Sequence, residues 1–227
     1  MRQRILSAAA LSAVLLAMTC SQAADTVRLY GRSLGSKMRI EGTSTAHDWQ
    51  VQSTIVGGFV EVGPNFPTEP GQDVKPGKAD AHAEAWIPVR SLLSVEKNGS
   101  HYSDKMDETM WKNLKADEFQ KIVYRSTELV LKAAPKDKDS PYVFDSKGQL
   151  AIAGVTNEVS MSLNVFPLGE KKLKITGSLA TKMSAFNIPA EKIGLGFVSF
   201  KTADDVKLIF EWVVGPARQP AAPAAGK

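Results

Sequence analysis

Over most of the chain, apolar and polar residues alternate one by one, the period of a strand with one buried and one wet face. Met161, Leu163 and Val165 alternate with Ser160, Ser162 and Asn164, and Leu173, Ile175, Leu179 and Met183 alternate with Lys172, Lys174 and Lys182. The same rhythm predicts strands at about 37–43, 48–56, 79–89, 121–131, 142–153 and 204–214. Turn chemistry punctuates them at Gly57-Gly58, Asp145-Ser146-Lys147-Gly148, Gly154-Val155-Thr156-Asn157 and Pro167-Leu168-Gly169. Eight or so antiparallel strands with one apolar face each must close into a barrel or pair as two sheets, and alternation alone does not separate the two. Residues 63–78 break the rhythm with prolines and glycines and read as a surface loop or a mobile flap.

One segment follows a different period. In "HYSDKMDETMWKNLKADEF" the apolar side chains fall at Tyr102, Met106, Met110 and Leu114, with Trp111 alongside, which is one face of a helix. Ser100 or Ser103 can cap its first turn. Asp104, Asp107 and Glu108 near the start and Lys112 and Lys115 near the end suit the helix dipole. A lone amphipathic helix in a β chain must lay its stripe on a sheet face or over the open end of a barrel.

The chain has three histidines, and "IEGTSTAHDWQV" places one beside an aspartate. Even positions are apolar at Met38 and Ile40 and odd ones at Trp49, Val51 and Ile55, so the chain bends across Thr43–Asp48 and His47 sits at a strand corner. A catalytic reading would make His47 the general base for Ser44, but neighbours on a strand face opposite ways, which places His47 and Asp48 badly for working together. His82 and Glu84 share a face of "ADAHAEAWIPV" without a third metal ligand indicated by spacing, and His101 precedes the helix. The residues therefore predict no catalytic site, no metal and no cofactor.

Composition narrows the classes further. Residues 1–23 carry Arg2 and Arg4, an apolar run from Ile5 to Met18, and small residues before Ala24, the pattern of a secretory signal peptide. The apolar run is shorter than the roughly 20 residues a spanning helix needs. Lipid attachment at Cys20 is the alternative processing route, though Ala17-Met18-Thr19 fits it poorly. Losing the leader takes the basic count from 28 to 26 against 24 acidic residues, so the formal charge falls from +4 to +2. The mature chain, from 24 onward, then has no thiol for a disulfide or a thiolate nucleophile. Charges are spread without a basic block, which argues against nucleic acid. The tail at 216–227, rich in proline and alanine, is expected to be disordered. This leaves one domain over 24–215, expected in the periplasm or outside the cell.

Several stretches together resemble the YceI-like family: "SDKMDETMWKNLKADEFQKIVYRSTEL", "GQLAIAGVTNEVSMSLNV" around a Gly-Val-Thr corner, and "LATKMSAFNIP" ending in a Phe-Asn-Ile turn. "IPVRSLLS" and the "GTSTAHDW" corner look like a variant branch, and the likeness covers most of residues 37–214. Gln120 stands where the family usually has proline, and the 63–78 loop is longer than expected. The resemblance implies an all-β fold, a lipocalin-like antiparallel eight-stranded barrel with one amphipathic helix. It further implies an exported, non-catalytic protein that holds a long isoprenoid or similar amphiphilic lipid.

Alternation and the helix stripe nominate Met106, Met110, Leu114, Ile122, Tyr124, Met161, Leu163, Val165, Ile175, Leu179 and Met183 to line such a barrel, with Trp86 and Trp111 at its rim. Two other classes stay open. One is a lipid-acting hydrolase or isomerase with a polar site near His47. The other is an envelope interaction module with a filled barrel. A homodimer is compatible with all of these readings.

Overall fold

A computed structural model describes residues 26–137, 139–190, 192–195 and 198–217. The leader, Cys20 and most of the expected tail lie outside the described residues. The strands in chain order are β1 (Val27–Ser44), β2 (Trp49–Ser53), β3 (Gly57–Val62), β4 (Gly77–Lys78), β5 (Ala81–Pro88), β6 (Leu93–Ser94), β7 (Lys121–Ala133), β8 (Tyr142–Ile152), β9 (Val155–Gly169), β10 (Lys172–Lys182), β11 (Lys192–Leu195) and β12 (Val198–Gly215), with one helix, α1 (Asp104–Asn113), between β6 and β7. Every pairing is antiparallel. β1, β3, β5, β7, β8, β9, β10 and β12 form a ring that closes where β12 returns to β1. The choice between barrel and stacked sheets is therefore settled as a closed eight-stranded barrel.

Closure depends on the length of β1. One of its edges follows β12 from Tyr30 to Ser44, while the other pairs β3 over Val27–Tyr30 and β2 over Met38–Gly42. Between Arg32 and Lys37 the register with β12 jumps, and the extra residues bulge outward. Ser36 stitches the bulge: its hydroxyl donates to the Arg32 carbonyl and accepts the Val213 N–H at 3.0 Å.

Three turn expectations are corrected, the first at Gly57-Gly58, which opens β3 and pairs with Trp86 and Ala85 of β5. Asp145–Gly148 is not a turn but the middle of β8, paired with β9 without interruption. Gly148 serves packing there, since a Cβ on it would lie 2.6 Å from the Tyr124 hydroxyl. Likewise Pro167–Gly169 belongs to β9, whose register with β10 shifts between Lys172 and Leu173 to accommodate it.

Both ends of the barrel are covered. At one end the 63–78 segment, expected as a surface loop or flap, tucks Phe66 inside, where it stacks on Phe144 with ring centroids 5.2 Å apart. The Tyr142 hydroxyl donates to the Gln72 carbonyl, and β4 adds to β7, so this segment is part of the wall. The apolar gain from burying an aromatic ring explains why a proline-rich stretch is held down. At the other end lie α1 and the 3-10 turns Val89–Ser91 and Ser184–Phe186, with Val89, Leu92, Leu114, Ala116 and Phe186 buried beneath them. Ser103 caps α1 by accepting the Met106 N–H at 3.3 Å. No helix among the described residues is long and apolar enough to cross a membrane.

Candidate ligand cavity

Inward-facing members of the strands surround a slender cavity. Its volume is about 90 Å³, which corresponds to roughly six to nine water-sized steps. The hollow exists because some inward positions are small: Ala83 and Ala85 on β5 line it together with Leu150, Met161 and Phe210.

Seven of the nominated residues, Ile122, Tyr124, Met161, Leu163, Val165, Ile175 and Leu179, border this space. Met106, Met110 and Met183 do not; they are half-buried against the outside of the core, and Leu114 is buried at the end of α1. α1 covers the barrel end with its own stripe instead of inserting it. Alternation in the sequence also missed lining residues that the topology supplies, among them Met38 and Val60 from the first strands, and Phe66 from the loop. Trp86 and Trp111 lie off the cavity. Lys121 Nζ sits 4.2 Å above the Trp86 ring, while the Trp111 indole donates to the Leu92 carbonyl at 3.0 Å and lies under Arg90.

Polar groups in the lining are few. Tyr124 and Ser146 share a hydroxyl–hydroxyl hydrogen bond of 2.6 Å, which satisfies each largely with the other. The indole N–H of the buried Trp212 has no hydrogen-bond partner among the described residues. Burial pushes the Tyr124 phenol above its ordinary value of 10.0, against the opposing pull of Ser146. A tyrosine pKa raised by folding leaves stability intact below about pH 10 and removes it as pH rises further. Unfolding free energy is therefore expected to fall faster between pH 10 and 11 in the wild type than in Tyr124→Phe, by up to about 1.4 kcal/mol per pH unit for one proton. Urea titrations across that range measure the difference, and parallel slopes would contradict it.

His47 is confined to the corner. Its Nδ1 meets the Asp48 backbone carbonyl at 2.7 Å, not the carboxylate, and its Nε2 lies 3.4 Å from the Tyr102 hydroxyl. The Ser44 hydroxyl donates to the His47 carbonyl at 2.8 Å and accepts the N–H groups of Ala46 and His47, so it is committed to the turn. His82 Nδ1 lies 3.0 Å from the Ser126 carbonyl, and Glu84 pairs with Arg125, so the two do not converge.

A constellation that the sequence reading passed over is at the foot of α1. His101 Nε2 lies 2.8 Å from Asp107 Oδ2 and 3.7 Å from Asp104 Oδ1. Asp107 is 1 % exposed, and its other oxygen accepts the Ser94 N–H at 2.6 Å. With both oxygens engaged by protein groups, the carboxylate acts as a clasp between α1 and the 94–101 strand-and-loop segment.

A closed antiparallel barrel with an apolar lumen and one covering helix defines a lipocalin-like barrel protein. Residues 32–214 match the model of the YceI-like domain, and the chain belongs to that family. Among solved structures it is similar to Burkholderia cenocepacia BcnA, with 20% identity and a TM-score of 0.56, covering 81% of this chain and 98% of that one. It is also similar to a polyisoprenoid binding domain from Saccharophagus degradans implicated in plant cell wall breakdown, with 12% identity and a TM-score of 0.58, covering 85% of this chain and all of that one. No curated protein matches the sequence.

Proposed function

We propose that this protein is an exported, non-catalytic carrier that holds one long isoprenoid or similar amphiphilic lipid in the barrel lumen. The observation that carries this reading is the apolar cavity inside the closed barrel, whose lining hydroxyls are paired with each other. Such a space favours an apolar chain over water, because water there would find few partners. The polyisoprenoid-binding description of the Saccharophagus degradans barrel supports the same ligand class, and the leader-like residues 1–23 support export. Ser44 and His47 supply no reacting pair, which supports carriage over turnover.

Each methylene moved into the lining gains about 0.8 kcal/mol gross, offset by ordering of the chain and loss of its free motion. Affinity is therefore expected to rise by at least about tenfold per added isoprene unit until the lumen is filled, then level off. Calorimetric titration of delipidated protein with prenols of increasing length measures this. Absence of saturable binding at every length would refute the carrier.

A further inference from the structure

We propose that the ligand enters and leaves through the side of the barrel, at a seam between β9 and β10, and that it carries an uncharged polar head that stays at this seam. The inference rests on the carrier reading above. Both ends of the barrel are closed over the cavity by buried side chains, Phe66 and Phe144 at one and Leu114, Ala116 and Phe186 at the other. A chain inside therefore needs a route through the wall.

The wall parts where the cavity meets it. β9 and β10 pair from Lys172–Gly169 only as far as Gly177–Leu163. Beyond that point β9 continues to pair β8 from Val155 to Ser162, and β10 continues to pair β12 from Ser178 to Lys182, but the two strands make no ladder with each other. Burial changes at the same place. Below the break the inward-facing Leu163, Val165 and Ile175 are buried, whereas Val159, Met161, Leu179 and Thr181 at the break are only half-buried. Met161 and Leu179 also line the cavity, so part of its lining is exposed at this seam. At the far end the gap is bridged by the Ser184–Phe186 turn, where Asn157 Nδ2 donates to the Ala185 carbonyl at 2.7 Å.

Unpaired strand edges are a liability that folds usually cover or close. Here they frame an apolar slot, and a slender chain can pass it sideways without unfolding either end. The rim chemistry points to the head. The charged residues on the two free edges are Glu158 and Lys182, and Lys182 is held by Asp205 at 3.1 Å. Lys147, beside Ser160 on β8, pairs with Glu128, and Lys207 stands one strand away on β12 beside Glu41 of β1. A phosphorylated head would meet an acid and engaged amines there, while a hydroxyl or carbonyl head meets Ser160, Ser162 and Ser178.

The test is a removable staple. Continuing the register past Leu163–Gly177 places Val159 opposite Thr181, so Val159→Cys with Thr181→Cys, in a Cys20→Ser background, closes the seam on oxidation. Asn164→Cys with Thr176→Cys joins positions already paired and serves as the control. Protein loaded with geranylgeraniol before oxidation is chased with the deuterated alcohol, and exchange is followed by native mass spectrometry. Exchange through the oxidised seam is expected to slow by at least about tenfold, to recover on reduction, and to be unchanged by the control pair. Exchange of the oxidised seam variant within twofold of its reduced form overturns the portal. If the thiols do not join, Val159→Trp is expected to slow exchange in the same way, and an unchanged rate overturns the portal equally. Failure of the reduced variant and the wild type to load at all would instead refute the carrier and the portal together. Geranylgeraniol is expected to bind at least about tenfold more tightly than geranylgeranyl diphosphate, and the reverse order would overturn the uncharged head.

Discussion

Replacing Ala83 and Ala85 together by leucine is expected to abolish lipid uptake while leaving the barrel folded. Both side chains face the lumen from β5, opposite the strands that carry Met161 and Phe210, and their small size is what leaves the space empty. Each Ala→Leu change adds three carbons to a space that admits little more than a slender chain. Together they displace about one isoprene unit of ligand, on the order of 4 kcal/mol gross, or roughly a thousandfold in affinity. The folded protein itself gains buried apolar surface, offset by any rotamer strain, so the thermal midpoint is expected to stay within a few degrees or rise. Calorimetry with geranylgeraniol beside a thermal melt separates the two effects. Wild-type affinity in a stable double variant would show that the chain lies elsewhere.

That pair also illustrates what the sequence could and could not reveal. In "ADAHAEAWIPV" the alternation assigns Ala81, Ala83, Ala85 and Ile87 to one face, and the structure turns three of them into the lumen. Periodicity reports which face is buried, because a strand alternates strictly. It does not report whether the space facing that side is filled, since that depends on residues from other strands meeting across the barrel. Phe66 shows the same limit: within a proline-rich loop it has no periodic neighbours, and only the stacking partner Phe144 identifies its role. The seam is less legible still, because Val155–Ser162 reads as regular strand whether or not its second edge is paired. The helix was legible from its stripe and its Ser103 cap, yet its most buried side chain is an aspartate that local pattern explains equally well as a dipole partner.

Truncation of that aspartate, Asp107→Ala, is expected to cost about 3 kcal/mol and to loosen the cover over one end of the barrel. Asp107 ties three things at once: the N–H of the fully buried Ser94, the ring of His101, and the first turn of α1. Alanine leaves the Ser94 donor unpaired in a dry site, which alone accounts for about 1–3 kcal/mol, and it removes a negative charge from the helix start. Asp107→Asn keeps an oxygen for the Ser94 N–H and an amide for the imidazole, so it should retain most of the stability. Asp104, whose carboxylate is exposed and 3.7 Å from His101, serves as the comparison, and its replacement by alanine should cost under about 0.5 kcal/mol. Urea unfolding gives all three values, and an alanine variant at Asp107 within about 0.5 kcal/mol of wild type would remove the clasp. Because α1 covers a barrel end and the seam lies in the wall, this variant and Asp107→Asn should release bound geranylgeraniol at equal rates, and faster release from the alanine variant would place the exit at that end.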